Sequence, residues 1–168
     1  LLLRLGDLMR GWAGGEEAAS LDITGITADS RAVHSGMVFA ALPGARSDGR
    51  AFIADAVARG AAAVLAPEGT AWPAGAPPRP LITAPDARRA LALMAAAFYG
   101  TQPDYAVAIT GTNGKTSSVD FLRQIWRHAG RKAASLGTLG LIAEGVPPGA
   151  SLTTPDPVVL HENLAWLA

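Results

Sequence analysis

The 168-residue chain lacks cysteine, and its acidic and basic residues balance. The absence of cysteine excludes disulfides and thiolate metal sites, and His34, His128 and His161 lie too far apart in the sequence to suggest a metal cluster. Lys+Arg and Asp+Glu each total 14, so no basic surplus favours nucleic acid or an anionic membrane as a partner. Any binding of an anion must therefore depend on a local site.

The chain also lacks a long apolar run, since none approaches the roughly 18 residues that a membrane span requires. It begins with LLLRLGDLM, which Arg4 and Asp7 interrupt, so a short packed segment is predicted there rather than a signal peptide. With no cysteine, these features predict a cytoplasmic protein without membrane insertion. Because the first residue is not Met and the last stretch, LHENLAWLA, still has a helical pattern, we expect a piece of a longer protein.

Apolar residues make up 49% of the chain, which is ample for a packed core. Strands are predicted at MVFAAL (37–42), AAAVLAP (61–67) and LIT (81–83). A helix over 52–59, ending at Gly60, separates the first two strands. This strand, helix, strand order favours a parallel α/β layer.

A second helix is predicted at ARRALALMAAAFY (87–99), where Asp86 caps the start and Gly100 and Pro103 end it. Its apolar face comprises Ala87, Ala90, Leu91, Met94 and Phe98. We place a domain boundary directly after this helix, which divides the chain into domains 1–102 and 103–168. Both are expected to be of the α/β class.

The second region predicts a strand at YAVAIT (105–110), a loop at GTNGK and a helix at TSSVDFLRQIWRHAG (116–130), the arrangement that a phosphate-binding loop requires. Its glycines let backbone N–H groups approach an anion, and the helix N-terminus favours negative charge. Lys115 would add a full positive charge, and Thr116 would place its hydroxyl on Mg²⁺. The helix is expected to bury Val119, Leu122, Ile125 and Ala129 and to expose Asp120, Arg123 and His128.

The loop is shorter than the eight-residue P-loop, because Ile109 stands where that motif has its first glycine. A Gly-rich turn with a solvated lysine is the alternative. We favour nucleotide binding, because the motif stands in the strand, loop and helix context that a phosphate site requires. A lysine at a helix N-terminus also costs roughly 0.3–1 kcal/mol, and an anion is the simplest candidate to offset that cost. The predicted ATP site comprises Gly111, Thr112, Asn113, Gly114, Lys115, Thr116 and Ser117, with Lys115 as the catalytic residue and Thr116 as the magnesium ligand.

The stretch GTNGKTSSVDF resembles the ATP loop of the Mur ligases, which join amino acids to the UDP-linked muramoyl peptide precursor of peptidoglycan. The segments SLGTLG (135–140) and LTTPD (152–156) fall where that family has matching segments. Residues 26–65 are similar to the amino-terminal domain of the branch that adds the third, diamino, residue. The resemblance covers nearly the whole chain.

The resemblance implies a first domain that binds UDP-N-acetylmuramoyl-L-alanyl-D-glutamate, followed by the start of a P-loop-type, parallel-sheet ATP-binding domain. It assigns Ser30, Ala45, Arg46 and Ser47 to the uridine diphosphate end, and Thr153 and Thr154 to the muramoyl-peptide end. The implied reaction is ATP- and Mg²⁺-dependent amide formation through an acyl phosphate, with diaminopimelate or lysine as the amine. The implied enzyme is a monomer, and this chain alone is expected not to turn over.

Several alternatives stay open at this point. The Mur ligase that adds the terminal dipeptide shares the amino-terminal pattern, although its loop is closer to Gly-Ser-x-Gly-Lys-Thr. A non-catalytic module that binds a uridine nucleotide or ATP, and a small P-loop kinase, also fit the loop. For the uridine end, Asp29–Ser30 and Asp48–Gly49 equally fit plain turns, and either Arg31 or Arg46 is suited to pair with a phosphate.

Overall fold

The computed structural model describes residues 3–9, 19–44, 47–145 and 156–168. The chain divides into two compact units, Leu1–Gly100 and Thr101–Ala168. It is of mixed α/β structure with a parallel sheet, so the predicted fold class is confirmed. Within the described ranges, no helix has the length and apolar character needed to cross a membrane.

The first unit is built on a four-stranded parallel sheet. Its elements are β1 (Leu3–Arg4), α1 (Leu5–Leu8), β2 (Asp22–Ile23), β3 (Gly25–Thr27), β4 (Met37–Ala40), α2 (Ile53–Ala58), β5 (Ala63–Pro67), β6 (Leu81–Ala84) and α3 (Ala87–Tyr99). The sheet order is β3-β4-β5-β6, all parallel, while β1 and β2 pair separately as an antiparallel ribbon. Short 3₁₀ turns at Ser30–Ala32 and Gly49–Phe52 follow β3 and β4. These turns therefore leave the sheet at its carboxyl edge.

Apolar side chains cover both faces of this sheet. One cluster joins β4 and β5 to α2 and includes Phe39, Ile53 and Val64. The alternate strand residues Val38 and Leu65 are also fully buried, and α3 lies against β5 and β6. Burial on both faces is the reason that these strands are continuous apolar runs rather than alternating ones.

Helix α3 spans the residues that were predicted. The Asp86 carboxylate caps its start by accepting a hydrogen bond from the backbone N–H of Arg89 at 2.9 Å, and Gly100 ends it with φ of 73°. The whole predicted apolar face is buried, from Ala87 to Phe98. Helix α2 is shorter than predicted, because Phe52 belongs to the preceding 3₁₀ turn and is exposed.

The second unit contains α4 (Lys115–His128), β7 (Ser135–Gly137), β8 (Gly140–Ile142) and α5 (Pro157–Leu167). Strands β7 and β8 form an antiparallel hairpin. The predicted strand at 105–110 is wrong for this chain, since no strand is formed there and both Tyr105 and Val107 are exposed. A strand needs a neighbouring strand for its hydrogen bonds, and among the described residues none pairs with this segment.

The orientation predicted for α4 is also partly wrong. Ile125 is 62% exposed, as is its neighbour Phe121, whereas Asp120 and Arg123 are half-buried. The helix contacts β7 but buries no residue fully among those described. The face of an amphipathic helix that becomes buried depends on what packs against it, and here Val119 and Asp120 line a cleft together with residues of the hairpin.

Two leucines of α3 provide a matched test of this packing. Leu91 is 1% exposed and Leu93 is 46% exposed. We expect Leu91→Ala to lower the free energy of unfolding by about 2–5 kcal/mol, because it leaves a cavity, and Leu93→Ala to change it by no more than about 0.5 kcal/mol. Urea denaturation followed by circular dichroism measures both. Equal losses in the two variants would contradict the packing described for α3.

Candidate functional site

Gly114 fixes the start of α4. Its φ of 77° lies in the left-handed region that favours glycine, and its carbonyl accepts the first helical hydrogen bond, from the N–H of Ser118 at 2.9 Å. Lys115, Thr116 and Ser117 follow as the exposed first turn. The first N–H groups of a helix have no partner inside the helix, so this turn presents donors and positive potential beside the Lys115 and Thr116 side chains.

The Lys115 ammonium is not simply solvated. It donates to the carbonyl oxygen of Gly111 and lies 3.4 Å from that of Thr112. These carbonyls can also offset its unfavourable position at the helix N-terminus, for which the sequence indicated an anion as the simplest candidate. An arriving anion would instead replace the carbonyls as the acceptor.

A cleft of about 170 Å³ opens beside this turn. Its floor is formed by the β7–β8 hairpin, and the Thr116 and Thr138 hydroxyl oxygens lie 2.9 Å apart at its edge. Ligand pockets for whole small molecules typically measure roughly 300–1,000 Å³, so this cleft suits a phosphate group better than a complete nucleotide. Its lining residues are Ile109, Lys115, Thr116, Val119, Asp120, Ser135, Leu136, Gly137, Thr138, Leu139, Gly140 and Ile142.

Asp120 lines the cleft, and both of its carboxylate oxygens accept hydrogen bonds from neighbouring side chains of α4. Arg123 donates to one carboxylate oxygen at 2.7 and 3.1 Å, and Gln124 donates to the other at 2.7 Å. The hydrogen bonds from Arg123, followed by that from Gln124, lower the pKa of Asp120 below its usual value. The predicted solvent-facing position of Asp120 and Arg123 is therefore wrong, and both contribute a fixed ion pair to the cleft wall.

The cleft is lined by side-chain oxygen atoms, which are the ligands that Mg²⁺ prefers. They are the Thr116 and Thr138 hydroxyls, with the Asp120 carboxylate nearby. Across the described part of the chain, no group of three or more His, Cys, Asp or Glu side chains is placed to hold a metal ion. Mg²⁺ commonly takes few protein ligands and completes its shell with water and substrate phosphates. The residues thus fit a magnesium ion that arrives with a nucleotide, with Thr116 as the protein ligand.

In the first unit, Ser30 begins the 3₁₀ turn that follows β3 and is half-buried. The preceding residue, Asp29, caps that turn by accepting from the backbone N–H of Arg31 at 2.9 Å. The Arg31 guanidinium also donates two hydrogen bonds, of 3.0 and 2.8 Å, to the same carboxylate. Arg31 therefore already has a carboxylate partner, and a phosphate that paired with it would have to share or replace Asp29.

The turn after β4 repeats this arrangement. Asp48 accepts from the backbone N–H of Arg50 at 3.0 Å and pairs with its guanidinium at 2.5 Å. Gly49 allows the chain to pass close to Leu42, since a Cβ at that position would lie 2.7 Å from Leu42 backbone atoms. Ser47 is exposed, and its carbonyl accepts from the N–H of Gly44 at 2.9 Å. Two adjacent strands thus end in the same Asp-x-Arg turn.

The remaining predicted substrate residues cannot be placed. Ala45, Arg46, Thr153 and Thr154 lie outside the described residues. Ser30 and Ser47 belong to the first unit, and the seven residues of the predicted ATP loop belong to the second. Within the second unit, Gly114, Lys115 and Thr116 lie at the start of α4.

Two family models match most of the chain. One, described as "Mur ligase family, catalytic domain", matches residues 22–99, and the other, described as "Mur ligase middle domain", matches residues 109–168. The chain belongs to the Mur ligase family. The loop at 111–116 and helix α4 lie within the middle-domain match, whereas the two Asp-x-Arg turns lie within the first match.

Individual relatives agree with this assignment. A protein of Rhizobium meliloti (strain 1021), named UDP-N-acetylmuramoyl-L-alanyl-D-glutamate--2,6-diaminopimelate ligase, is 54% identical over 152 residues, which are 90% of this chain and 31% of that protein. A solved structure titled with the same ligase name has a TM-score of 0.81 at 23% identity, covering 100% of this chain and 34% of that chain. A crystal structure of MurF from Acinetobacter baumannii has a TM-score of 0.58 at 26% identity, covering 76% and 28%. The chain therefore spans about a third of the length of these Mur ligases.

The site contains one residue that sequence reasoning did not assign. Thr138 lies within SLGTLG, which marks a family segment, but nothing in its local pattern connects it to a loop 22 residues earlier. The signal that could have found it is the pair of glycines, Gly137 and Gly140, because two glycines that flank two residues indicate a tight hairpin turn with the Thr138 hydroxyl at its tip.

The Asp29–Arg31 turn predicts a defined pH response. Hydrogen bonds from Arg31 lower the pKa of Asp29 from 3.8 to about 2. Because this pKa is lowered in the folded chain, ionised Asp29 contributes fully to the free energy of unfolding above about pH 3.8, and this contribution is lost as the pH falls through about 2. Carboxyl ¹³C NMR titration should find this low pKa in the native chain and a pKa moved toward the ordinary value in Arg31→Ala.

The control is Arg50→Ala, which removes the matching pair of the neighbouring turn. Arg50 is not among the groups that shift the pKa of Asp29, so this variant should leave the Asp29 titration unchanged. An Asp29 carboxyl that titrates at the same pH with and without Arg31 would rule out the ion pair as the cause.

Proposed function

We propose that this chain provides the precursor-binding part and the phosphate loop of an ATP-dependent ligase. The ligase adds 2,6-diaminopimelate to UDP-N-acetylmuramoyl-L-alanyl-D-glutamate, an acceptor that is made, like ATP, in the cytoplasm. The observation that carries the proposal is the placement of Lys115 and Thr116 in the first turn of α4, directly after the left-handed Gly114, inside a middle-domain match. The name of the 54% identical relative supports both substrates.

The phosphate loop would act mainly by position and charge. Bound Mg²⁺·ATP would supply the γ-phosphoryl group that turns the glutamate carboxylate into an acyl phosphate, with ADP as the leaving group. The incoming amine would then attack the acyl carbon, form the amide and release inorganic phosphate. Lys115 would exchange the Gly111 and Thr112 carbonyls for phosphate oxygens, and the first-turn N–H groups of α4 would donate to the same phosphates. Thr116 would hold the magnesium ion through its hydroxyl. The fixed Asp120–Arg123 pair shapes the cleft wall without needing to move.

The uridine end would bind at the carboxyl edge of the parallel sheet in the first unit. Open α/β sheets usually bind ligands at this edge, and the turns that hold Ser30 and Ser47 leave adjacent strands there. Because the Arg31 guanidinium is already hydrogen-bonded to Asp29, pairing with the diphosphate is proposed for Arg46. Thr153 and Thr154 are proposed for the muramoyl-peptide end.

The terminal-dipeptide ligase is the weaker candidate. The MurF structure covers 76% of this chain with a TM-score of 0.58, against 100% and 0.81 for the structure titled as the diaminopimelate ligase. The relative that is 54% identical to this chain is named as a 2,6-diaminopimelate ligase. We therefore propose diaminopimelate rather than a dipeptide as the group that is added.

The phosphate role of Lys115 can be tested by comparing the two lysines of the chain, Lys115 and Lys132. Lys115→Ala removes a charge-assisted contact of about 1.5–3 kcal/mol, which weakens Mg·ATP binding roughly ten- to hundredfold. Because Lys115 gives up carbonyl partners when it binds phosphate, the lower end of that range is expected. Lys132→Ala, which removes an exposed lysine of the same unit, should leave the affinity unchanged. Mg·ATP affinity from NMR titration measures this, and equal affinity of wild type and Lys115→Ala would remove Lys115 from the site.

The precursor role of the first unit can be tested separately. Titration with UDP-N-acetylmuramoyl-L-alanyl-D-glutamate should shift the backbone amide signals of Ser30 and Ser47, because both lie in turns at the proposed uridine end. The matched control is the same muramoyl dipeptide without UDP, which should not shift these signals. If both amides stay still in a folded chain while the precursor is present at millimolar concentration, the assignment of the uridine end is wrong.

A further inference from the structure

The β7–β8 hairpin holds Thr138 in a defined place. Gly137 and Gly140 face each other across the antiparallel pair, which leaves Thr138 and Leu139 as a two-residue turn. The φ of Gly140 is 80°, whereas neither Thr138 nor Leu139 has a positive φ, so Gly140 is the left-handed residue that follows a type I turn in this kind of hairpin. Thr138 is therefore held by the hairpin and not by α4, although its hydroxyl lies 2.9 Å from that of Thr116.

A hydroxyl that binds a cation has a specific requirement. Its oxygen offers a lone pair to the metal, so its proton must point away from the metal and needs an acceptor there. Either threonine of this pair is able to donate to the other. A magnesium ion on Thr116 would allow only one direction, in which Thr116 donates to Thr138.

We propose that Thr138 is a positioning residue for the magnesium site. Thr138 accepts a hydrogen bond from the Thr116 hydroxyl. This hydrogen bond orients a lone pair of the Thr116 oxygen toward the cleft, where Lys115 also lies. The Thr138 hydroxyl proton is then left to donate to water. This proposal rests on the proposed function, because it assumes that Mg²⁺·ATP binds at the cleft.

The exposure of the pair argues against a purely structural role. Thr116 and Thr138 are both exposed, and a hydrogen bond that competes with water adds little net stability. The hairpin is already closed by its own backbone pairing, and it contacts α4 through β7. The second coordination shell of a metal, by contrast, orients its ligands, and removing such a partner typically costs about 10–100-fold in metal affinity.

The test compares Thr138→Val, which keeps the shape and loses the hydroxyl, with Thr138→Ser, which keeps the hydroxyl. ATP affinity of the 168-residue chain is measured by NMR titration, once with excess Mg²⁺ and once with EDTA. Thr138→Val should weaken binding about 10–100-fold with Mg²⁺ and leave binding in EDTA unchanged. Thr138→Ser should match wild type in both conditions.

Three outcomes would overturn the inference. Unchanged Mg²⁺-dependent affinity in Thr138→Val would show that Thr138 does not orient Thr116. Equal weakening with Mg²⁺ and with EDTA would show that Thr138 acts on the phosphates or on the hairpin instead of on the metal ligand. Wild-type chain that binds no ATP in either condition would refute the proposed nucleotide site itself, and the inference would fail with it.

Discussion

The left-handed conformation of Gly114 determines where α4 begins, and the functional side chains of the second unit follow from that position. Because Gly114 starts the helix, Lys115 reaches back to the loop carbonyls while Thr116 meets the hairpin. The positive end of the helix and the hydroxyl pair thus converge at one cleft.

Local signals were enough to predict the elements that do not depend on distant partners. Helix α3 was predicted residue for residue, because its capping Asp86, its apolar spacing and its terminal Gly100 all lie within the segment. Strand β3 was missed, since the three residues Gly25–Thr27 are too short to show a periodic pattern. The strand expected at 105–110 failed for the opposite reason, because its apolar pattern is clear but pairing requires another strand.

The chemistry of the candidate site was predictable in kind but not in detail. The residues of GTNGKT indicated a phosphate loop, and the structure places them at a helix start. No residue pattern indicated that Lys115 already has carbonyl acceptors, or that Arg31 is hydrogen-bonded to Asp29. Both are short-range contacts whose geometry depends on a turn that residue types alone do not fix. The contact between Thr116 and Thr138 depends on the hairpin and spans 22 residues.

We propose that this chain is part of a diaminopimelate-adding ligase, and the measurement that tests this proposal most directly is product formation by the ligase that contains it. UDP-N-acetylmuramoyl-L-alanyl-D-glutamate and Mg²⁺·ATP would be supplied with 2,6-diaminopimelate, with lysine, or with D-alanyl-D-alanine. The account predicts equal amounts of ADP and UDP-muramoyl tripeptide with 2,6-diaminopimelate, and far less with either of the others. ADP release that does not require the UDP precursor, or product formation only with the dipeptide, would contradict it.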